Sequence, residues 1–189
     1  MRLLRWGLVL GLGLLAACSQ PVQVTADDTL EDMRQLGVEV EAVAAYEQAL
    51  ENLEAARLAV QGLSAGDLQL VQTIALGSIA NYEYFYNVRA SYPQFDWSRD
   101  GCSAPEGLGL GYRDTFRPAC NVHDFGYASF PRFPLLYNET GRKLADDNFW
   151  VNMNSICRPK SLLSRAACYS AAYAYYSAVR VAGWAYFYD

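Results

Sequence analysis

Four cysteines in the second half of the chain, Cys102, Cys120, Cys157 and Cys168, constrain the fold more than any other feature. Whether they are cross-links depends on compartment, and the N-terminus bears on that. "MRLLRWGLVLGLGLLAAC" has a basic start at Arg2 and Arg5, an apolar run from Trp6 to Leu15 and a small-residue end. This is the form of an export signal, too short to span a bilayer. "LAAC" at Leu15 to Cys18 has the form of a lipobox, which predicts loss of residues 1–17 and lipidation of Cys18. Acyl chains at about 0.8 kcal/mol per buried methylene would hold the protein at the membrane of the cell envelope. Outside the cytoplasm, in an oxidising compartment, the remaining four cysteines are expected to form two disulfides. Of three pairings, 102–120 with 157–168 is the simplest, each closing a loop of roughly 10 to 20 residues worth about 3 kcal/mol on the chain-entropy model. Zinc is a poor alternative, because there is no CxxC and a single histidine.

Residues 18–189 are enough for one domain with a sizeable core. The formal charge of the whole chain is −5, and removal of the leader takes two arginines with it. An acidic chain with no Lys/Arg cluster is a poor nucleic-acid binder. Residues 18–27 read as a lipidated cysteine and a polar tether, 28–66 as an N-terminal helical segment and 67–189 as the main domain. Between Asp28 and Gln61, apolar residues at Val43, Tyr46, Leu50, Leu53 and Val60 recur at three- and four-residue spacing, with Arg57 breaking the stripe. That predicts one amphipathic helix packed on the domain. Further helices are expected at 67–87, from about Arg117 with Pro118 in the first turn, at 141–156 and from Ser161 to about Trp184. Strand patterns are nearly absent. The expected class is all-α, with loops pinned by disulfides.

The only histidine lies in "CNVHDFGY". On a helix, His123 and Asp124 point about 100° apart, so each can serve a different partner. A 102–120 bond would draw "SRDGCS" to this helix, setting the Asp100 carboxylate and the Gly101 carbonyl near Asp124. These are hard oxygen ligands of the kind Ca²⁺ prefers. A metal beside an imidazole suggests hydrolysis: the base deprotonates water and the cation polarises a carbonyl. The imidazole also needs its second nitrogen fixed. In "GRKLADDNFWVNM", Asp146 shares a flank with Phe149 and Trp150, so it can point inward to His123 while Asp147 or Asn148 faces water.

"FDWSRDGCSAPEG", "GYRDTFRPACNVHDFGY", "KLADDNFWVNM", Cys157 and "CYSAAYAYYSAV" together closely resemble the bacterial and fungal secreted phospholipase A2 family, over about residues 80–182. The resemblance implies a small all-helical fold with both cysteine pairs, and Ca²⁺-dependent hydrolysis of the sn-2 ester of glycerophospholipids at a membrane surface. His123 matches the base that activates water. Asp146 matches the carboxylate that orients it, with Asp147 a lesser match because the register depends on the preceding loop. Asp100 and Asp124 match the Ca²⁺ carboxylates, and Gly101 the carbonyl ligand. Val122 stands where members often carry a basic residue, and Glu106 where an Asp is common. A monomer is expected.

Three other readings compete. "GLSAG" at 62–66 has the form of a nucleophile elbow with Ser64 as the nucleophile of a serine esterase, but the elbow needs a strand before the serine and "ENLEAARLAVQ" is a helix pattern. An EF-hand starting at Asp96 would put Gly107, not Glu, at its twelfth position. The non-enzymatic alternative is a membrane-anchored lipoprotein that binds a partner or lipid through its N-terminal helix or through the aromatic residues at Tyr82–Tyr86 and near the C-terminus.

Overall fold

The computed structural model describes residues 26–61, 66–102 and 111–189. The leader, Cys18, Ser64 and Glu106 lie outside them. All regular structure among the described residues is helical. In chain order the helices are α1 (Ala26–Gln35), α2 (Val40–Gln61), α3 (Asp67–Ala75), α4 (Ile79–Asn87), α5 (Arg113–Ser129), α6 (Glu139–Cys157), α7 (Leu162–Ala182) and the single turn α8 (Trp184–Phe187). Short 3₁₀ turns follow α4 and α5. None of these helices is long and apolar enough to cross a membrane.

The expected helix over 28–61 is in fact two. Gly37 sits at φ +68°, and Val38 N donates to Met33 O while Gly37 N donates to Arg34 O. This is a Schellman end, which a left-handed glycine permits at no steric cost. The expected helix over 67–87 also breaks. Ser78 caps α4, accepting from Asn81 N at 3.2 Å, and the carbonyls left open at the end of α3 are taken by side chains of α6. Asn148 Nδ2 donates to Ala75 O and Gly77 O, and Asn152 Nδ2 donates to Gly77 O.

Helix α5 starts four residues before Arg117, so Pro118 lies inside it rather than in its first turn. Helix α6 starts at Glu139, with Asn138 capping Gly141 N at 3.0 Å. A Cβ on Gly141 would sit 2.0 Å from Leu136 O, so no larger residue fits there. The final helix ends at Ala182, and α8 is separate.

Helix α6 is the centre of the molecule, in contact with α2, α5 and α7. On one side, α1, α2, α6 and α7 share a core in which Trp150 stacks on Tyr176 (centroids 4.4 Å apart) and meets Tyr46 edge-on at 5.2 Å. On the other, α3, α4 and α5 bury Ile74, Tyr82, Phe125 and Phe130, with Phe187 of α8. The N-terminal hairpin α1–α2 therefore packs on the domain, as the apolar stripe of α2 requires. Both disulfides form as the simplest pairing has them, Cys102–Cys120 and Cys157–Cys168. The Tyr82–Tyr86 cluster is not a uniform exposed face: Tyr82 is buried, while Tyr84 is 64% exposed.

Candidate active site

Helix α5 carries His123 and Asp124 about one turn after Cys120. The His123 side chain is only 10% exposed, held between Tyr127 (ring centroids 4.1 Å) and Phe149 of α6 (4.7 Å). Its Nε2 lies 2.7 Å from Asp146 Oδ1. Asp146 has no exposed surface, and its carboxylate is filled at both oxygens. Oδ1 also accepts from the Tyr127 hydroxyl at 2.7 Å. Oδ2 accepts from Arg180 Nη1 at 2.6 Å and from Arg142 Nη1 at 3.3 Å. Burial by itself would raise this carboxyl, but the hydrogen bonds from His123, Tyr127 and Arg180 outweigh it and hold Asp146 below its ordinary value. Burial and the Asp146 charge push the Tyr127 hydroxyl well up, so it remains a donor. An ionised Asp146 accepts only, so Nε2 carries the imidazole proton and Nδ1 is the basic nitrogen.

Asp147 and Asn148 do not face water, contrary to the expectation from spacing; both are buried. Asp147 sits on the other flank of α6. It accepts from Lys143 Nζ at 2.8 Å, the Tyr176 hydroxyl at 2.9 Å and Asn52 Nδ2 of α2 at 2.9 Å. Asn148 is occupied in ending α3. Of the two aspartates, only Asp146 reaches His123.

Asp124 points the other way. The 102–120 disulfide holds the loop so that Gly101 N donates to Asp124 Oδ2 at 3.1 Å. Gly101 is at φ +75°, a conformation that favours glycine. The Asp124 carboxyl is pushed up to about 6, chiefly by burial and further by the neighbouring Asp100 charge, against the lowering effects of His123 and the amides of Gly101 and Asp100. Two neighbouring carboxylates, one of them largely buried, concentrate negative charge of the kind a hard cation neutralises. Among the described residues no three His, Cys, Asp or Glu side chains converge. The side chains that meet here, Asp100 and Asp124, offer carboxylate oxygens, which are hard donors, rather than imidazole or thiolate.

Spacing did not single out Tyr127, Arg142 or Arg180. Tyr127 stands four residues after His123, and Arg142 four residues before Asp146, so both lie within reach on the i,i+4 rule. Arg180 comes from α7, 34 residues from Asp146, and no local pattern announces it. The helix α2, rather than a strand, runs up to the "GLSAG" segment, so the framework of a nucleophile elbow is missing.

Residues 74–183 match the prokaryotic phospholipase A2 family. A secretory phospholipase A2 of Arthroderma benhamiae is 31% identical over 135 residues, 70% of this chain and 88% of that protein. One of Beauveria bassiana is 32% identical over 98 residues, 52% of this chain, which spans 49% of that relative's length. Conodipine-P2 of Conus purpurascens is 39% identical over 59 residues, 31% of this chain and 29% of that protein. With the family match covering more than half of the chain, and with an all-helical fold and both disulfides in place, this chain belongs to the prokaryotic phospholipase A2 family.

Proposed function

We propose that the chain hydrolyses the sn-2 ester of glycerophospholipids at a membrane surface, using His123 as general base, Asp146 as its orienting carboxylate, and Ca²⁺ held by Asp100, Asp124 and the Gly101 carbonyl. The observation that carries this reading is the 2.7 Å contact between His123 Nε2 and Asp146, with the next residue, Asp124, turned to Gly101 and Asp100.

The imidazole takes a proton from water on Nδ1 as the oxygen attacks the ester carbonyl. Asp146, already ionised, stabilises the imidazolium through Nε2–H without accepting its proton. When the tetrahedral adduct collapses, His123 returns the proton to the departing glycerol oxygen. The products are a lysophospholipid and a free fatty acid, with no acyl-enzyme. When bound, Ca²⁺ supplies polarisation of the carbonyl and charge neutralisation of the oxyanion. Both disulfides agree with export, and a lipid on Cys18 would keep the enzyme at its substrate.

The assignment of roles is tested by Ca²⁺ titration and by turnover of sn-2-labelled phosphatidylcholine. Asp124→Asn is expected to weaken Ca²⁺ binding. Asp146→Asn is expected to keep Ca²⁺ affinity nearly intact and lose turnover. Equal loss of metal in both variants would contradict it. Cys18→Ser should release the protein from membranes while turnover on vesicles persists; unchanged partitioning would refute the lipid anchor.

A further inference from the structure

Asp146 is shared by more than His123. Its Oδ1 is committed to the imidazole and Tyr127. That leaves Oδ2, on a side chain with no exposed surface, as a buried anionic oxygen that needs its own donors. Two arginines meet it. Arg142, 5% exposed, reaches Oδ2 at 3.3 Å and spends its other donors on Glu139 and on Val179 O and Arg180 O at the end of α7. It mainly ties the start of α6 to the end of α7. Arg180 makes the closer contact, with Nη1 at 2.6 Å from Oδ2, while Nη2 is anchored on Glu139. Asp146, Glu139, Arg142 and Arg180 form a closed set of two anions and two cations.

Resting on the proposed role of the His123–Asp146 pair, we propose that Arg180 is a positioning residue for the reaction. Its guanidinium, held in place by Glu139, fixes the rotation of the Asp146 carboxylate and so fixes which nitrogen of His123 carries the proton. A planar fork suits this task, because one group must satisfy two carboxylates at a set angle. Without it, Asp146 Oδ2 keeps only the longer Arg142 contact. The carboxylate can then turn toward that guanidinium and away from Nε2, and the two imidazole tautomers mix.

The test uses the full-length protein and compares Arg180→Gln, Arg180→Lys and Asp146→Asn with wild type. Steady-state kinetics on phosphatidylcholine vesicles is paired with ¹⁵N chemical shifts of the His123 ring at alkaline pH. His123 is the only histidine in the chain, so its ring signals are unambiguous. Arg180→Gln is expected to lower kcat by about 10- to 100-fold, as small misplacements of catalytic groups do, with KM little changed and the ring nitrogens shifted toward a tautomer mixture. Arg180→Lys, which keeps the charge but loses the fork, should recover part of kcat. A wild-type kcat and an unchanged tautomer in Arg180→Gln, beside an inactive Asp146→Asn, would overturn the role of Arg180 alone. Full activity in Asp146→Asn would instead overturn the pairing on which it rests. Should Arg180→Gln fail to fold, Arg180→Lys decides, because a single ammonium cannot reproduce the bridge and kcat must still fall; wild-type kcat in that variant refutes the proposal.

Discussion

Asp146 and Asp147 are neighbours on α6, both without exposed surface, yet they belong to different halves of the molecule. Asp146 faces α5 and the end of α7, where it meets His123, Tyr127, Arg142 and Arg180. Asp147 faces α2 and the middle of α7, where it meets Asn52, Lys143 and Tyr176. A rotation of about 100° along the helix separates the two environments. One carboxylate borders the protonated nitrogen of an imidazole beside a candidate cation site. The other is enclosed by a lysine, a tyrosine and an amide from the N-terminal hairpin, a set suited to docking α2 on the core. Burial and charge alike do not imply the same role; the partners on each flank decide it.

That contrast can be broken most decisively through turnover. Asp146→Asn should lower kcat by about a thousandfold or more, the scale seen when a carboxylate no longer holds a catalytic imidazole in one tautomer. Asp147→Asn, assayed where it is folded, should keep kcat within a fewfold of wild type. Comparable activity losses in the two variants would erase the distinction.

Stability should reverse the emphasis. Asp147→Asn removes the anion that Lys143, Tyr176 and Asn52 share and weakens the tie to α2, so denaturant unfolding should report a loss of about 2 kcal/mol. A wild-type midpoint would mean that the hairpin is held by its apolar contacts and by the bonds of Asp32 to Arg165 and Tyr169. Asn52→Ala removes one hydrogen bond to the same carboxylate and should cost about 1.5 kcal/mol in the same assay, with kcat unaffected.

Acid provides the subtlest separation. The Asp146 carboxyl is held below its ordinary value by His123, Tyr127 and Arg180 against the effect of burial. Because its folded value is the lower one, its stabilising contribution is complete above the unfolded carboxylate range, near pH 4, and is lost as pH falls through the folded value. Asp146→Asn should therefore flatten the acid limb of the stability profile. An identical limb in wild type and variant would show that other carboxylates set it.

Much of this arrangement was legible in the chain. The helical periodicity of α2, the cysteine spacing and the placement of Asp146 on the flank of Phe149 and Trp150 led to the N-terminal packing, both disulfides and the contact with His123. Most of what spacing does not show depends on partners far away in sequence. The break after α3 is set by Asn148 and Asn152, more than 70 residues on. The burial of Asp147 needs Asn52 and Tyr176, and the second half of the Asp146 cluster needs Arg180. Periodicity reports which face of an element is apolar; it carries no information about which polar groups will meet across two helices. The end of α1 is different in kind: Gly37 was a local signal that a continuous run of helix formers on either side obscured.

The most direct measurement follows fatty-acid release by the full-length protein from phosphatidylcholine vesicles labelled separately at sn-1 and sn-2. Wild type and His123→Ala are each assayed in millimolar Ca²⁺, about the range for extracellular sites, and in EDTA. Release of the sn-2 label by wild type in Ca²⁺, lost in EDTA and lost in His123→Ala, is the predicted result. Release of sn-2 label that persists in EDTA or in His123→Ala, or release confined to sn-1, would contradict the account.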